Sequence, residues 1–251
     1  MNTKVIYRIL LGIACLFLVY VCVDSVVTPI RFEEKRAQRE VAVVKNLVNI
    51  RLAEQEYKLV KGYYQADMDS LVLFLQNTPK KEVMKEGSLT EKQLEAGLTE
   101  GKATKILEKA LAKAQTKLGT DDKDALYTYI WENDRDVKDN GLVGFRRDTI
   151  YKDMIETLYK GEYTAENIAE ITYVPFTNQV RFETEVDNKY TTSQGINVPL
   201  LEVRAHYNTY LADLDDQERT NLIDRETKLE HYPGLKIGSI EAPNNNAGNW
   251  E

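Results

Sequence analysis

The sequence predicts an α+β protein: an N-terminal transmembrane helix running into a long second helical stretch, which packs on a small antiparallel sheet with additional helices. Three observations predict it. The residues from Ile9 to Val23 carry no charge, and about 20 apolar residues cross a bilayer as helix. From Val41 to Tyr57 apolar residues recur every three or four positions, the period of a helix with one buried face. Beyond residue 170 short segments rich in Val, Thr and Tyr alternate in polarity, as half-buried strands do.

The apolar span covers residues 5–27, after a short N-terminal tail at 1–4 that is expected to be cytoplasmic. Arg8 and Asp24 lie near the two edges of the span and Arg31 follows it, so these three are the candidate membrane-interface residues, reaching toward headgroups. A cleaved secretory signal is the competing reading, but Val23-Asp24-Ser25 is a poor small-x-small site. The orientation signals conflict. Arg31, Lys35, Arg36 and Arg39 outnumber Lys4 and Arg8, which favours a cytoplasmic domain, whereas long domains translocate largely regardless of charge. The expected layout is therefore a single-pass protein of the bacterial inner membrane, with residues 28–240 forming a periplasmic domain.

That domain is large enough for a sizeable core, and its composition, 43% hydrophobic and 29% charged, is that of a folded chain. The net charge of -7, with bases scattered among acids, argues against nucleic acid as a partner. Both cysteines, Cys15 and Cys22, fall within the span, so no disulfide frames the domain.

After the span, a charged collar from Arg31 to Glu40 is expected to set the domain at the membrane surface, with Glu33 to Glu40 standing in water, and Val43, Leu47, Ile50, Ala53 and Tyr57 are expected to pack on the domain's own core rather than on a neighbouring chain. Gly62 ends the helix. Residues 78–165 read as a helical or partly mobile insertion, with a capping box at Thr90 and Gln93 and an amphipathic stretch from Ala103 to Leu118. Strands are expected at Glu170–Val174, Val180–Val186 and Val198–His206, the last opening near Pro199. Leu211, Leu214, Glu218, Leu222, Arg225 and Leu229 then fall at helical spacing until Pro233-Gly234, and residues 241–251 read as a flexible tail.

Ile50-Arg51-Leu52-Ala53-Glu54-Gln55-Glu56-Tyr57 with Gly62 and Tyr64 resembles the type IV pilin and pseudopilin pattern, which implies a pilin-like spine for the domain. The prepilin processing site is absent, since Gly12 is followed by Ile13 and the fifth residue on is Phe17. Tyr173-Val174-Pro175-Phe176-Thr177-Asn178, Val198-Pro199-Leu200, Tyr232-Pro233-Gly234-Leu235-Lys236 and Asn244-Asn245-Asn246-Ala247-Gly248-Asn249-Trp250-Glu251 resemble a single-pass membrane family of Bacteroidota encoded near ExbB and ExbD. That resemblance implies ExbB/ExbD-type subunits of a proton-driven, TonB-type motor as partners.

No residue pattern points to catalysis, a cofactor or a small-molecule substrate. His206 and His231 lack the Cys or acid spacing of a metal site, and the Asp134–Gly141 region puts Lys138 and Arg147 where a calcium loop needs acids. Asp121, Asp122 and Asp124 read as a helix start. There is no nucleophile elbow and no glycine-rich phosphate loop. The expected function is a non-enzymatic accessory subunit of an envelope complex, with Glu33, Arg36, Arg39, Glu218 and Arg225 as candidate partner contacts. A pseudopilin-like component of a filament or secretion apparatus, and a periplasmic ligand-binding or hydrolytic protein, are the alternatives.

Overall fold

The computed structural model describes the backbone of residues 3–251 and the side chains from residue 10 onward. The tail at 1–4 and the side chain of Arg8 therefore lie outside the described side chains. The fold is mixed helix and sheet, with one long apolar N-terminal helix, a small antiparallel sheet and further helices. The chain forms two compact units, one of residues 1–78 with 154–251 and one of residues 79–153.

In the first unit, helix α1 (Thr3–Lys61) continues through Pro29, whose ring removes one N–H from the ladder. Its first half is apolar, and from Leu10 to Val26 every residue is exposed, Leu16 at 73% and Phe17 at 64%. By length and composition this half is a candidate membrane span, a test that a signal sequence also passes. Gly62, at φ 88°, closes the helix with its N–H on the Lys58 carbonyl. Helix α2 (Met68–Asn77) starts at Asp67, whose carboxylate accepts the Ser70 N–H.

The second unit opens and closes with a two-stranded antiparallel ribbon. Strand β1 (Lys80–Glu86) pairs with β2 (Arg146–Lys152) in the register Lys80↔Lys152 to Glu86↔Arg146. Between them run helices α3 (Glu91–Glu95), α4 (Glu100–Leu118), α5 (Lys123–Asn133) and α6 (Arg135–Asp139). Ala103, Leu107, Ala110 and Ala114 of α4 bury against Leu126, Tyr127 and Ile130 of α5. The capping box at Thr90 and Gln93 forms, and Asp122 caps α5 as the helix start read from the sequence. The helical reading misses the ribbon because almost every residue of β1 is exposed, which leaves no period-two pattern to find. What joins its strands is the ladder and charge, including the Lys152–Glu82 pair.

The chain returns to the first unit with α7 (Met154–Tyr159), then a 3-10 turn at Ile168–Thr172, strands β3 (Glu183–Asp187) and β4 (Leu200–His206), short helix α8 (Tyr207–Tyr210), helix α9 (Asp216–Lys228) and strand β5 (Gly234–Gly238). The sheet order is β3-β4-β5, all antiparallel. The expected strand at Glu170–Val174 is a correction: Ile168 and Ile171 lie three residues apart and are both fully buried, so a tight helical turn, not a pleat, points both inward. Helix α9 ends at Lys228, ahead of the expected stop at Pro233-Gly234, and Gly234 opens a strand, β5, that is not among those expected. An added Cβ at Gly234 would lie 2.2 Å from the Ala205 carbonyl oxygen, and at Gly238 2.0 Å from that of Leu201, so glycine lets β5 approach β4.

Val43, Leu47, Ile50, Ala53 and Tyr57 are buried with Leu201, Val203, Leu235 and Ile237 of the sheet, Leu71 and Leu75 of α2, and Ile168 and Ile171. Each fully buried Leu or Ile contributes about 1.5–3 kcal/mol. The α1 face is thus covered by the domain's own core. The tail expected at 241–251 is a second correction, since its last part, from Asn246 to Glu251, docks. Gly248 bridges to Ile237, Asn246 donates to the Tyr64 hydroxyl, Glu251 pairs with Arg51, and Trp250 packs on the core. Turn-forming Asn and Gly residues read as disorder in sequence, but here their amides complete the edge of β5.

Candidate functional site

The stripe that packs α1 on the domain does not begin at Val43. Followed backwards at spacings of four and three it takes in Arg39, Arg36 and Phe32, so two arginines hold positions on the inward face. Phe32 is buried at 6% exposure. Arg39 donates to both carboxylate oxygens of Asp213, at 2.5 and 2.8 Å, and to the Tyr210 carbonyl at 2.7 Å, and it lies over the Phe176 ring. Its hydrogen bond holds the Asp213 carboxyl well below the usual range, at about 2. Arg36 donates to Glu40 at 2.8 Å and Glu33 at 2.9 Å and sits 5.8 Å from the centre of the Tyr207 ring. Burial alone would lower its pKa, but the Glu40 hydrogen bond and the nearby negative charges raise it.

The collar therefore does not stand free in water. One of its faces is part of the domain, because a guanidinium can bury its stem while its fork finds carboxylates and carbonyls. The domain accordingly begins within a turn or two of the apolar segment's end.

Where the collar meets α9, a groove of about 470 Å³ opens. Pro29, Ile30 and Phe32 of α1 and Leu222 of α9 give it an apolar strip, with Ile30 54% exposed. Glu33 and Arg36 line it from one helix, and Glu218, Asn221 and Arg225 from the other. Glu218 and Arg225 share a helix face but do not pair, since seven residues separate them by about 10 Å. Arg225 bonds the neighbouring Glu226 at 3.1 Å, while the Glu218 carboxylate has no ion pair among the described residues. Asp215 caps α9, accepting from Gln217 and Glu218 N–H. Such a groove suits an amphipathic helix: apolar residues enter the strip while both signs of charge at the rim fix its register.

Four of the five expected partner contacts, Glu33, Arg36, Glu218 and Arg225, thus share one groove. Arg39 does not; its guanidinium is spent inside the domain on Asp213 and Tyr210. Of the interface residues, Asp24 accepts the Thr28 hydroxyl at 3.3 Å, and Arg31 lines a smaller cleft of about 160 Å³ with Lys35, Asp213 and Asp215. Sequence reasoning missed Phe32, Ile30 and Leu222 as groove residues. The signal was present for Phe32, which continues the buried stripe in register. His206 accepts the Asn208 N–H and His231 faces Glu226 at 3.2 Å, so the two histidines serve separate local contacts. Among the described residues no group of three or more His, Cys, Asp or Glu is placed to hold a metal ion.

Comparison of the chain with protein-family models, with curated proteins and with solved structures finds no match in any of the three.

Proposed function

We propose that the protein is a non-enzymatic accessory subunit of a bacterial inner-membrane complex, held by α1 and receiving a partner helix in the groove between the collar and α9. The observation that supports this reading is continuity: the groove's apolar strip, Pro29 and Ile30, follows directly on the unpacked apolar half of α1. An unpacked apolar helix requires lipid or another helix beside it, and a partner lying along it reaches the groove next. The resemblance to a family encoded near ExbB and ExbD makes ExbB/ExbD-type subunits the partners of choice, with the domain on the periplasmic side.

Affinity purification of the full chain from mild detergent at native expression tests this. Recovery of ExbB and ExbD homologues is expected; recovery of the chain alone contradicts it. Topology is tested with Glu241→Cys in a background where Cys15 and Cys22 are replaced by serine. An impermeant maleimide labels it on intact spheroplasts if the domain is periplasmic, and only after lysis if it is not.

A further inference from the structure

A further cavity in the first unit, of about 460 Å³, is lined by Arg36, by the end of α9 and by the turn into β5. That is the size range of small-molecule sites. Its walls carry both signs of charge. Glu40 is committed to Arg36, and Glu226 to Arg225 and His231. Glu230 makes no ion pair among the described residues. On the cationic side Arg36 uses Nε and Nη1 and leaves Nη2 without a hydrogen bond, and Lys236 spends one of its three donors, on Glu202 at 3.1 Å.

Three aromatic side chains complete the walls: Tyr207, Tyr232 and Trp250. Two are seated against glycine. A Cβ at Gly248 would come within 2.6 Å of the Trp250 ring, and one at Gly234 within 2.8 Å of the Tyr232 ring. Any other residue there would displace the rings, so the backbone is shaped to hold these walls in place. The hydroxyls of Tyr207 and Tyr232 and the indole N–H have no protein partner among the described residues, which leaves them to a ligand or water.

The geometry points to a site for a small zwitterion, an α-amino acid or the end of a short peptide. Its ammonium group would meet Glu230, its carboxylate the free donors of Arg36 and Lys236, and its side chain the aromatic walls. A simple anion would be brought against three carboxylates, and a simple cation against Arg36 and Lys236. Only a ligand carrying both charges answers both walls, and burying either unused group without a partner is unfavourable.

Isothermal titration calorimetry of the detergent-solubilised full chain tests the assignment, with the twenty amino acids and Gly-Gly as probes and acetate and methylammonium as half-ligands. At least one zwitterion is expected to saturate the protein at sub-millimolar concentration, with each half-ligand at least ten-fold weaker. Glu230→Gln is expected to weaken the same probe at least ten-fold with Tm unchanged, because the carboxylate has no structural partner; Lys236→Gln gives a second reading from the opposite wall. The assignment is overturned if no zwitterion saturates the protein, if a half-ligand binds as tightly as the zwitterion, or if both variants bind as the native protein does.

Discussion

At the scale of single residues, the first unit holds one ionisable group against its chemistry. Glu54 is completely buried in the α1 core face; one carboxylate oxygen accepts the Gln65 N–H at 3.0 Å and the other has no partner. Burial pushes its pKa up to about 8, against which the Gln65 hydrogen bond pulls only partly. The folded protein therefore binds a proton there that the unfolded chain has lost, and stability declines as pH rises from about 4.5 to 8. Glu54→Gln should flatten that decline and raise stability at pH 8 by about 2–4 kcal/mol, measured by urea unfolding at several pH values. A wild-type curve that is flat between pH 5 and 8 contradicts the account. Asp213 shows the opposite sign: its pKa lies at about 2, so its contribution is complete above about 4 and is lost as pH falls toward 2. Because Asp213 is 67% exposed, the pair is worth at most about 1 kcal/mol. Arg39→Ala also forfeits the Tyr210 carbonyl bond and the Phe176 contact, so a loss of about 1–2 kcal/mol is expected, read as a lower Tm with a shallower acid limb.

At the scale of elements, the sheet depends on how closely β5 approaches β4. Gly238 holds φ 73° and has no room for a Cβ beside the Leu201 carbonyl. Gly238→Ala should therefore cost more than about 3 kcal/mol, visible in thermal unfolding, whereas Gly62→Ala, with open space at its Cβ position, should cost about 1 kcal/mol. Equal effects at the two positions would show that left-handed backbone alone, and not strand proximity, sets the cost. These elements also show what the sequence made legible. The buried stripe of α1, the end at Gly62 and strand β4 were readable because hydrophobic period and turn chemistry agree there. The ribbon of β1 and β2 was not, because exposed strands carry no alternation, and β5 was not, because a strand of five residues bounded by glycines looks like a turn. The groove was half legible. Glu33, Arg36, Glu218 and Arg225 stand out as charges on helix faces, but that they meet across α1 and α9 is a tertiary fact.

At the scale of the whole molecule, the two units have separate apolar cores. No residue of 79–153 belongs to the cluster formed by α1, α2 and the sheet, and α2 and α7, which flank the excursion, contact each other. Replacing residues 79–153 with a short Gly-Ser linker should leave the first unit folded, with near-UV circular dichroism of its tyrosines and Trp250 retained; loss of that signal would show the units are one cooperative body. The groove and the zwitterion site are both lined by residues of the first unit, so such a variant should also keep them.

The partner-binding role proposed for the molecule converges on the groove beside the apolar half of α1. A photo-reactive amino acid placed at Asn221, with a control at Lys189 of the same unit, tests that convergence in intact cells. The account predicts a cross-link from Asn221 to an integral-membrane partner and none from Lys189. Absence of any cross-link from Asn221 at native expression, or equal cross-linking from both positions, would contradict it.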